Sequence, residues 1–163
     1  QFIVDIATAN HFLPTGYDVV NFLFSANKNA TPQPIAQTAS GGELSRLMLV
    51  IKSLIVSRTN LPTIIFDEID TGVSGEIAHR MGEIMQLIAK TMQVITITHL
   101  PQIAAKGATH YKVYKYDTER TTITDIVQLN SEERIEQIAE MLSGKNPSVV
   151  AMDNARELLN TSV

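Results

Sequence analysis

Cysteine and tryptophan are both missing from this chain, and only 6% of its 163 residues are aromatic. Without cysteine there is neither a disulfide nor a thiolate metal site, which fits a reducing compartment. Histidine is scarce, four in all, and no two stand at metal-ligand spacing, which argues against a dedicated zinc site. Apolar runs fall far short of the roughly 20 residues that span a bilayer, and no secretory signal is visible. Acids outnumber bases, 17 to 13, for a net charge of −4. A polyanion partner therefore has no support in the overall charge. Lys28, Arg46, Lys52 and Arg58 are scattered, with no basic run or aromatic platform to hold nucleic acid.

One further absence is more specific. None of the eight glycines opens a G-x-x-x-x-G-K-[ST] phosphate loop. The single Gly144-Lys145 pair has Ala139 where the first glycine belongs and Asn146 where Ser or Thr belongs. A cradle of backbone N–H groups with a lysine on the β- and γ-phosphates is not encoded here.

The content that remains, 44% hydrophobic and 18% charged, is ordinary for a globular domain, and 163 residues suit a single one. The chain opens on Gln1, not Met, and runs at once into alternating Phe2, Val4 and Ile6; it reads as a piece of something longer. Residues 2–9 and 17–26 read as strands about a Pro14-Thr15-Gly16 turn, and Asn27 to Ala39 as a loop. A helix is expected over 42–57 on Leu44, Leu47, Met48, Ile51, Leu54 and Ile55. The apolar run Thr63 to Phe66, a helix over 74–90 and the run Val94 to Thr98 predict a parallel βαβ unit with both sheet faces covered. Residues 110–128 predict an antiparallel hairpin about Asp117 to Arg120, with Tyr111, Val113 and Tyr114 facing Ile123, Ile126 and Val127. Helices over 131–142 and from Pro147 to about Asn160 close the chain. The fold class is α/β.

Ser40 and Glu43 form an S-x-x-E capping box, which alone is structural. The two glycines inside it change the reading. Gly41 and Gly42 cost helix stability, and they leave first-turn N–H groups approachable at the positive end of the helix, which makes an anion site. Asp67 and Glu68 follow four apolar strand residues. As chemistry, Asp67 would hold Mg²⁺ and Glu68 would orient or deprotonate an attacking water; the plain alternative is a polar strand end. His99 follows the second apolar run, so parallel strands put Asp67, Glu68 and His99 on one sheet edge, where open α/β sheets bind ligands. A lone strand-end histidine is ordinarily structural; beside two acids it suits a γ-phosphate contact or the positioning of water. His11, His79 and His110 read as surface residues. Asp70-Thr71-Gly72-Val73-Ser74-Gly75 reads as a tight loop, either a plain connection or one that reports on the site to a neighbour.

In this order the residues resemble the second half of an ABC-type ATPase head. Ser40 to Glu43 resembles the signature motif, Ile64 to Glu68 the Walker B strand with its catalytic glutamate, Asp70 to Ser74 the D-loop, and His99 the switch histidine. The stretches from Gly41 to Arg46, Phe66 to Gly75 and Thr98 to Ala104 are similar to the SMC-like ATPases of bacterial double-strand-break repair, and the likeness covers nearly the whole chain. It implies a head split in sequence, with an N-terminal Walker A half and a coiled coil ahead of this lobe. It implies ATP and Mg²⁺ as cofactors, with Asp67 (metal), Glu68 and His99 (catalytic) serving the nucleotide on their own head. Ser40, Gly41, Gly42 and Glu43 would meet the ATP of a partner head in a homodimer, and Asp70, Thr71 and Gly72 would form the D-loop. DNA contact through the full-length protein and a cytoplasmic, nucleoid-associated, membrane-free setting are implied too. The alternative of another class is a non-catalytic scaffold with a degenerate site.

Overall fold

Period-2 alternation at the start of the chain produces a long antiparallel ribbon: β1 (Phe2–Leu13) pairs with β2 (Gly16–Phe24), Phe2 opposite Phe24 and Ile6 opposite Val20, with a register shift between Thr8 and Leu13. The structure, a computed structural model, describes residues 1–27, 29–38, 40–56, 61–118 and 121–160. The loop expected from Asn27 to Ala39 holds two short elements among its described residues. Gln33–Pro34 (β3) pairs antiparallel with Leu23 and Phe24, and Ile35–Thr38 forms one helical turn (α1). Pro34 is tolerated because β3 is an edge strand, where a missing N–H need not break a ladder.

Helix α2 (Gly41–Val56) begins where the capping box predicts; Ser57, the last residue expected in it, lies outside the described residues. The run after Pro62 becomes β4 (Thr63–Asp67). It is followed by α3 (Gly75–Ala89) and β5 (Gln93–Ile97). β4 and β5 are parallel with Thr63 opposite Gln93 and Asp67 opposite Ile97, which is the expected βαβ unit. A short α4 (Pro101–Ala104), with Pro101 in its first turn, comes next and was not anticipated. The hairpin is β6 (Tyr111–Asp117) and β7 (Thr122–Gln128); Arg120 of its expected turn lies outside the described residues. Val113 faces Ile126 and Tyr116 faces Ile123, but Tyr114 meets Asp125 and Val127 meets Lys112. Helix α5 (Ser131–Ser143) is capped by Asn130, whose side chain accepts from Glu132 and Glu133 N–H while Glu133 bonds back to the Asn130 N–H. Helix α6 spans Val149–Asn160. Pro147 precedes this helix, and Ser148, not Pro147, starts it by accepting from Met152 and Ala151 N–H groups.

Two apolar clusters hold these elements. The larger joins Leu49 of α2, Phe66 of β4, Val73, the inner face of α3 and Ile103 of α4. The smaller joins Ala105 to Ile138 and Ala139 of α5 and Ala151 and Ala155 of α6. Phe66 is 0% exposed at the centre of the first, with Lys52 Nζ 5.6 Å above its ring.

Two expectations about the core are corrected. The β4–β5 sheet is covered on one face only. Phe66 turns inward, while Ile65, Ile95 and Ile97 stay exposed on the other face, because among the described residues nothing lies over them. Nor does the apolar stripe of α2 form its packed face. Leu44, Met48, Leu54 and Ile55 are exposed, and the helix buries Leu49. The helical period was legible; which face is inside depends on what the helix is offered to pack against.

Candidate functional site

The site begins at the end of β4. Register and a hydrogen bond from the Glu68 N–H to the Ile97 carbonyl (3.1 Å) carry the strand pairing one residue past Asp67. Asp67, Glu68 and His99 are thereby brought to one edge of the parallel pair, and all three are exposed. Neither the Asp67 nor the Glu68 carboxylate takes a hydrogen bond or ion pair that joins it to another described residue. Both are free to accept water or a cation. That suits Mg²⁺, which uses one or two carboxylates and keeps several waters. Among the described residues no three acids or histidines cluster into a complete metal cage.

Glu68 carries a feature that no sequence pattern announced: φ is +46°, in the left-handed region that a non-glycine residue occupies at a cost. The surroundings hold it there. Its N–H is engaged by Ile97, and its carbonyl accepts from the Thr71 N–H (3.4 Å) and the Thr71 hydroxyl (2.9 Å). Such over-determined strain clusters where a side chain must be aimed.

Asp70, Thr71 and Gly72 form the loop behind these acids, but not as an exposed unit. Thr71 and Gly72 are exposed, Gly72 at φ +72°, whereas Asp70 is 1% exposed. One Asp70 oxygen, Oδ2, accepts from the Thr98 hydroxyl. The other, Oδ1, lies 3.8 Å from His99 Nδ1 and has no hydrogen-bond partner. Thr98 Oγ1 in turn accepts from the Leu100 N–H at 3.0 Å. Sequence reading missed Thr98, whose only signal was a hydroxyl beside a strand-end histidine. Ser74, near the end of that loop, occupies the N-cap of α3, but its side chain makes no capping bond.

The start of α2 realises its capping box. Glu43 Oε2 accepts from both the Ser40 N–H and the Ser40 hydroxyl, each at 2.9 Å, and the Glu43 N–H reaches back to Ser40 Oγ at 3.4 Å. The Ser40 backbone bond, then its hydroxyl, hold the Glu43 carboxyl below the usual carboxylate range. Gly41 has open space around it. Gly42 does not: a β-carbon there would stand 3.1 Å from the Thr71 carbonyl oxygen and 3.5 Å from that of Gly72. The two glycines thus differ, one open to an anion and one packed on the loop. A cavity of about 330 Å³ flanks this turn, lined by Phe24, Ser25, Glu43, Arg46 and Leu47 among others but by neither Asp67 nor Glu68.

The remaining sequence candidates lie elsewhere. His11 is exposed and His79 is half-buried, 3.4 Å from Glu83. His110 is half-buried, not a surface residue, with Nε2 on the Ala104 carbonyl. Lys28 and Arg58 lie outside the described residues.

The sequence and the fold have counterparts among known proteins. No family model matches the chain. It is similar to the DNA repair protein RecN of Rickettsia bellii, 40% identical over 158 residues, and to that of Vibrio cholerae, 38% identical over 160. These alignments take in 97% and 98% of this chain but 29% of each relative, so the chain spans under a third of the length of the relatives it matches. RecN of Xylella fastidiosa is 42% identical over 146 residues, 90% of this chain and 26% of that protein. Among solved structures, one from work on ATP-driven dimerization and DNA-stimulated activation of SMC ATPases superposes with a TM-score of 0.61 at 20% identity, covering 87% of this chain and 82% of the other. A second, an Smc head bound to the C-terminal winged-helix domain of ScpA, gives 0.57 at 20% identity over 83% of this chain and 39% of the other. At that identity the likeness carries the fold.

Proposed function

Taking the chain as a RecN-type ATPase-head segment, we propose that it is the signature and Walker B half of a split head in an SMC-like ATPase of DNA double-strand-break repair and recombination. ATP binding joins two such heads and hydrolysis releases them. The N-terminal Walker A half of the same protein supplies the phosphate loop that this chain lacks, and the full-length protein makes the DNA contact. The work is done in the cytoplasm, at the nucleoid.

Each residue has a part in that reading. Mg-ATP, when bound, supplies the phosphoanhydride that is cleaved. Asp67, whose carboxylate pairs with no other described residue, would hold the metal directly or through water. Glu68 orients and deprotonates the attacking water. His99 positions the attacking water at the γ-phosphate. Ser40, with the bare N–H groups at Gly41 and Gly42, meets the γ-phosphate held by the opposite head. For that contact the Ser40 hydroxyl must let go of Glu43, the acceptor it uses in this structure.

The observation that carries the reading is the shared edge of Asp67, Glu68 and His99, three exposed side chains fixed by strand register and by a strained Glu68 backbone. Substituting Glu68→Gln in the full-length parent tests it. Hydrolysis should fall by at least about 100-fold, while ATP-dependent dimers persist or accumulate in size-exclusion chromatography. Unchanged turnover would remove Glu68 from the chemistry.

A further inference from the structure

A buried carboxylate is expensive unless every oxygen is paired. Asp70 meets half of that condition. Oδ2 is taken by the Thr98 hydroxyl, and Oδ1 is buried with no hydrogen-bond partner. Thr98 is itself set in direction, because its oxygen already accepts from the Leu100 N–H, which leaves its own proton for Asp70. The polar atom that faces the orphaned oxygen is His99 Nδ1, 3.8 Å away, too far for a hydrogen bond and close enough to make one after a small rotation. The rest of the His99 side chain is open, 66% exposed against 1% for Asp70.

We propose that Asp70 and Thr98 are positioning residues for His99. Thr98 occupies Oδ2 and so reserves Oδ1 for the Nδ1–H of His99. That bond fixes the tautomer and ring plane and leaves Nε2 unprotonated, an outward hydrogen-bond acceptor for the attacking water at the edge shared with Asp67 and Glu68. The second ring nitrogen of a working histidine is set by the bond the first one makes. The proposal rests on the role given above to His99. It alters the role of Asp70, which faces its own head's histidine from inside the fold.

Two measurements on the full-length parent test it. The first needs no nucleotide. In protein labelled with ¹⁵N-histidine, long-range correlation spectra should show His99 with its proton on Nδ1 in the wild type and redistributed towards Nε2 in Asp70→Asn and Thr98→Val. An unaltered tautomer in both variants overturns the proposal. The second is steady-state hydrolysis with a mutant cycle. Asp70→Asn and Thr98→Val should lower kcat about 10- to 100-fold, in line with losses of groups that orient a working side chain, with KM for ATP within about twofold, and Thr98→Ser should recover most of the rate. In a His99→Ala background, Asp70→Asn should cost nothing more, since groups that act as a unit are not additive. Effects that multiply assign Asp70 a separate role and overturn the positioning claim while leaving His99 in place. A His99→Ala protein as active as the wild type overturns both. Should Asp70→Asn fail to fold, the Thr98→Ser and Thr98→Val pair decides: equal activity in the two rejects the proposal.

Discussion

Gly42 lies so close to Thr71 that a β-carbon on it would stand 3.1 Å from the Thr71 carbonyl oxygen. The helix start that is proposed to serve one nucleotide therefore rests on the loop that leads away from the acids proposed to serve another. A β-carbon on Gly41, one residue earlier, would meet nothing within 4 Å. The pair makes a controlled comparison. Gly→Ala within a helix is worth up to about 1 kcal/mol in favour of Ala. Gly41→Ala should gain part of that, about 0.5 kcal/mol. Gly42→Ala should gain nothing or lose stability, because a backbone oxygen must yield. Urea unfolding of the full-length parent and both variants measures the contrast. In ATP-dependent dimerisation both should lose affinity, Gly41→Ala despite its added stability.

Glu68 gives the opposite combination, a residue whose removal should stabilise. Its φ of +46° is a conformation glycine adopts freely. Glu68→Gly should therefore relieve about 1 kcal/mol of strain, offset in part by the greater freedom of glycine in the unfolded chain. Glu68→Ala, which keeps the strain and loses the carboxylate, should be the less stable of the two. Both should be inactive in hydrolysis. Equal unfolding midpoints would show that the left-handed conformation costs nothing here.

Local signals explain what was readable in the sequence. The S-x-x-E box, the apolar runs before Asp67 and before His99, and the helical period between them give α2, β4, α3 and β5, and the parallel rule then places Asp67, Glu68 and His99 on one edge. What was not readable depends on residues far apart in sequence. Asp70 is buried because Thr98, 28 residues later, supplies its hydrogen bond. Asn130 and Glu133 form a capping box as local as that of Ser40, and it sets the start of the helix expected over 131–142. The stripe Leu44, Met48, Leu54 and Ile55 has the helical period of a core face and lies exposed, since periodicity says that a face is apolar and not what covers it.

His110 makes stability pH-dependent in a definite direction. Burial, and then the nearby Arg134 guanidinium, push its pKa below the ordinary histidine value, against a smaller opposing effect of the Ala104 carbonyl. A folded-state pKa lowered below the unfolded value of about 6.5 means that the folded protein prefers the neutral ring. The contribution is present in full above about pH 6.5 and is lost as pH falls from there through the lowered folded value. Urea midpoints should therefore decline between pH 7 and 5, and His110→Gln, which stays neutral, should decline less over that interval. Parallel declines would exclude His110 as a source.

The apolar surface makes the largest prediction. A self-contained protein of this mass exposes about 8,000 Å², whereas this chain of 17.9 kDa exposes 11497 Å². The excess, about 3,500 Å², is of the order buried by permanent complexes. Its most apolar parts are the outer face of β4–β5 at Ile65, Ile95 and Ile97, and the outer residues of α2 and of the β1–β2 ribbon such as Leu54, Ile6 and Phe22. Large apolar side chains left exposed in such number mark an interaction face. The expressed chain should bind a hydrophobic dye and self-associate, and it should show weak or undetectable affinity for Mg-ATP in calorimetry. Co-expression with the Walker A half of its parent should suppress the dye signal and bring nucleotide binding into the micromolar range. Ile95→Asp, at the bare centre of β5, should leave the dye signal of the isolated chain no higher but block recovery by the Walker A half. Micromolar Mg-ATP binding by this chain alone would overturn the requirement for a second half; recovery that survives Ile95→Asp would move the docking face away from β5.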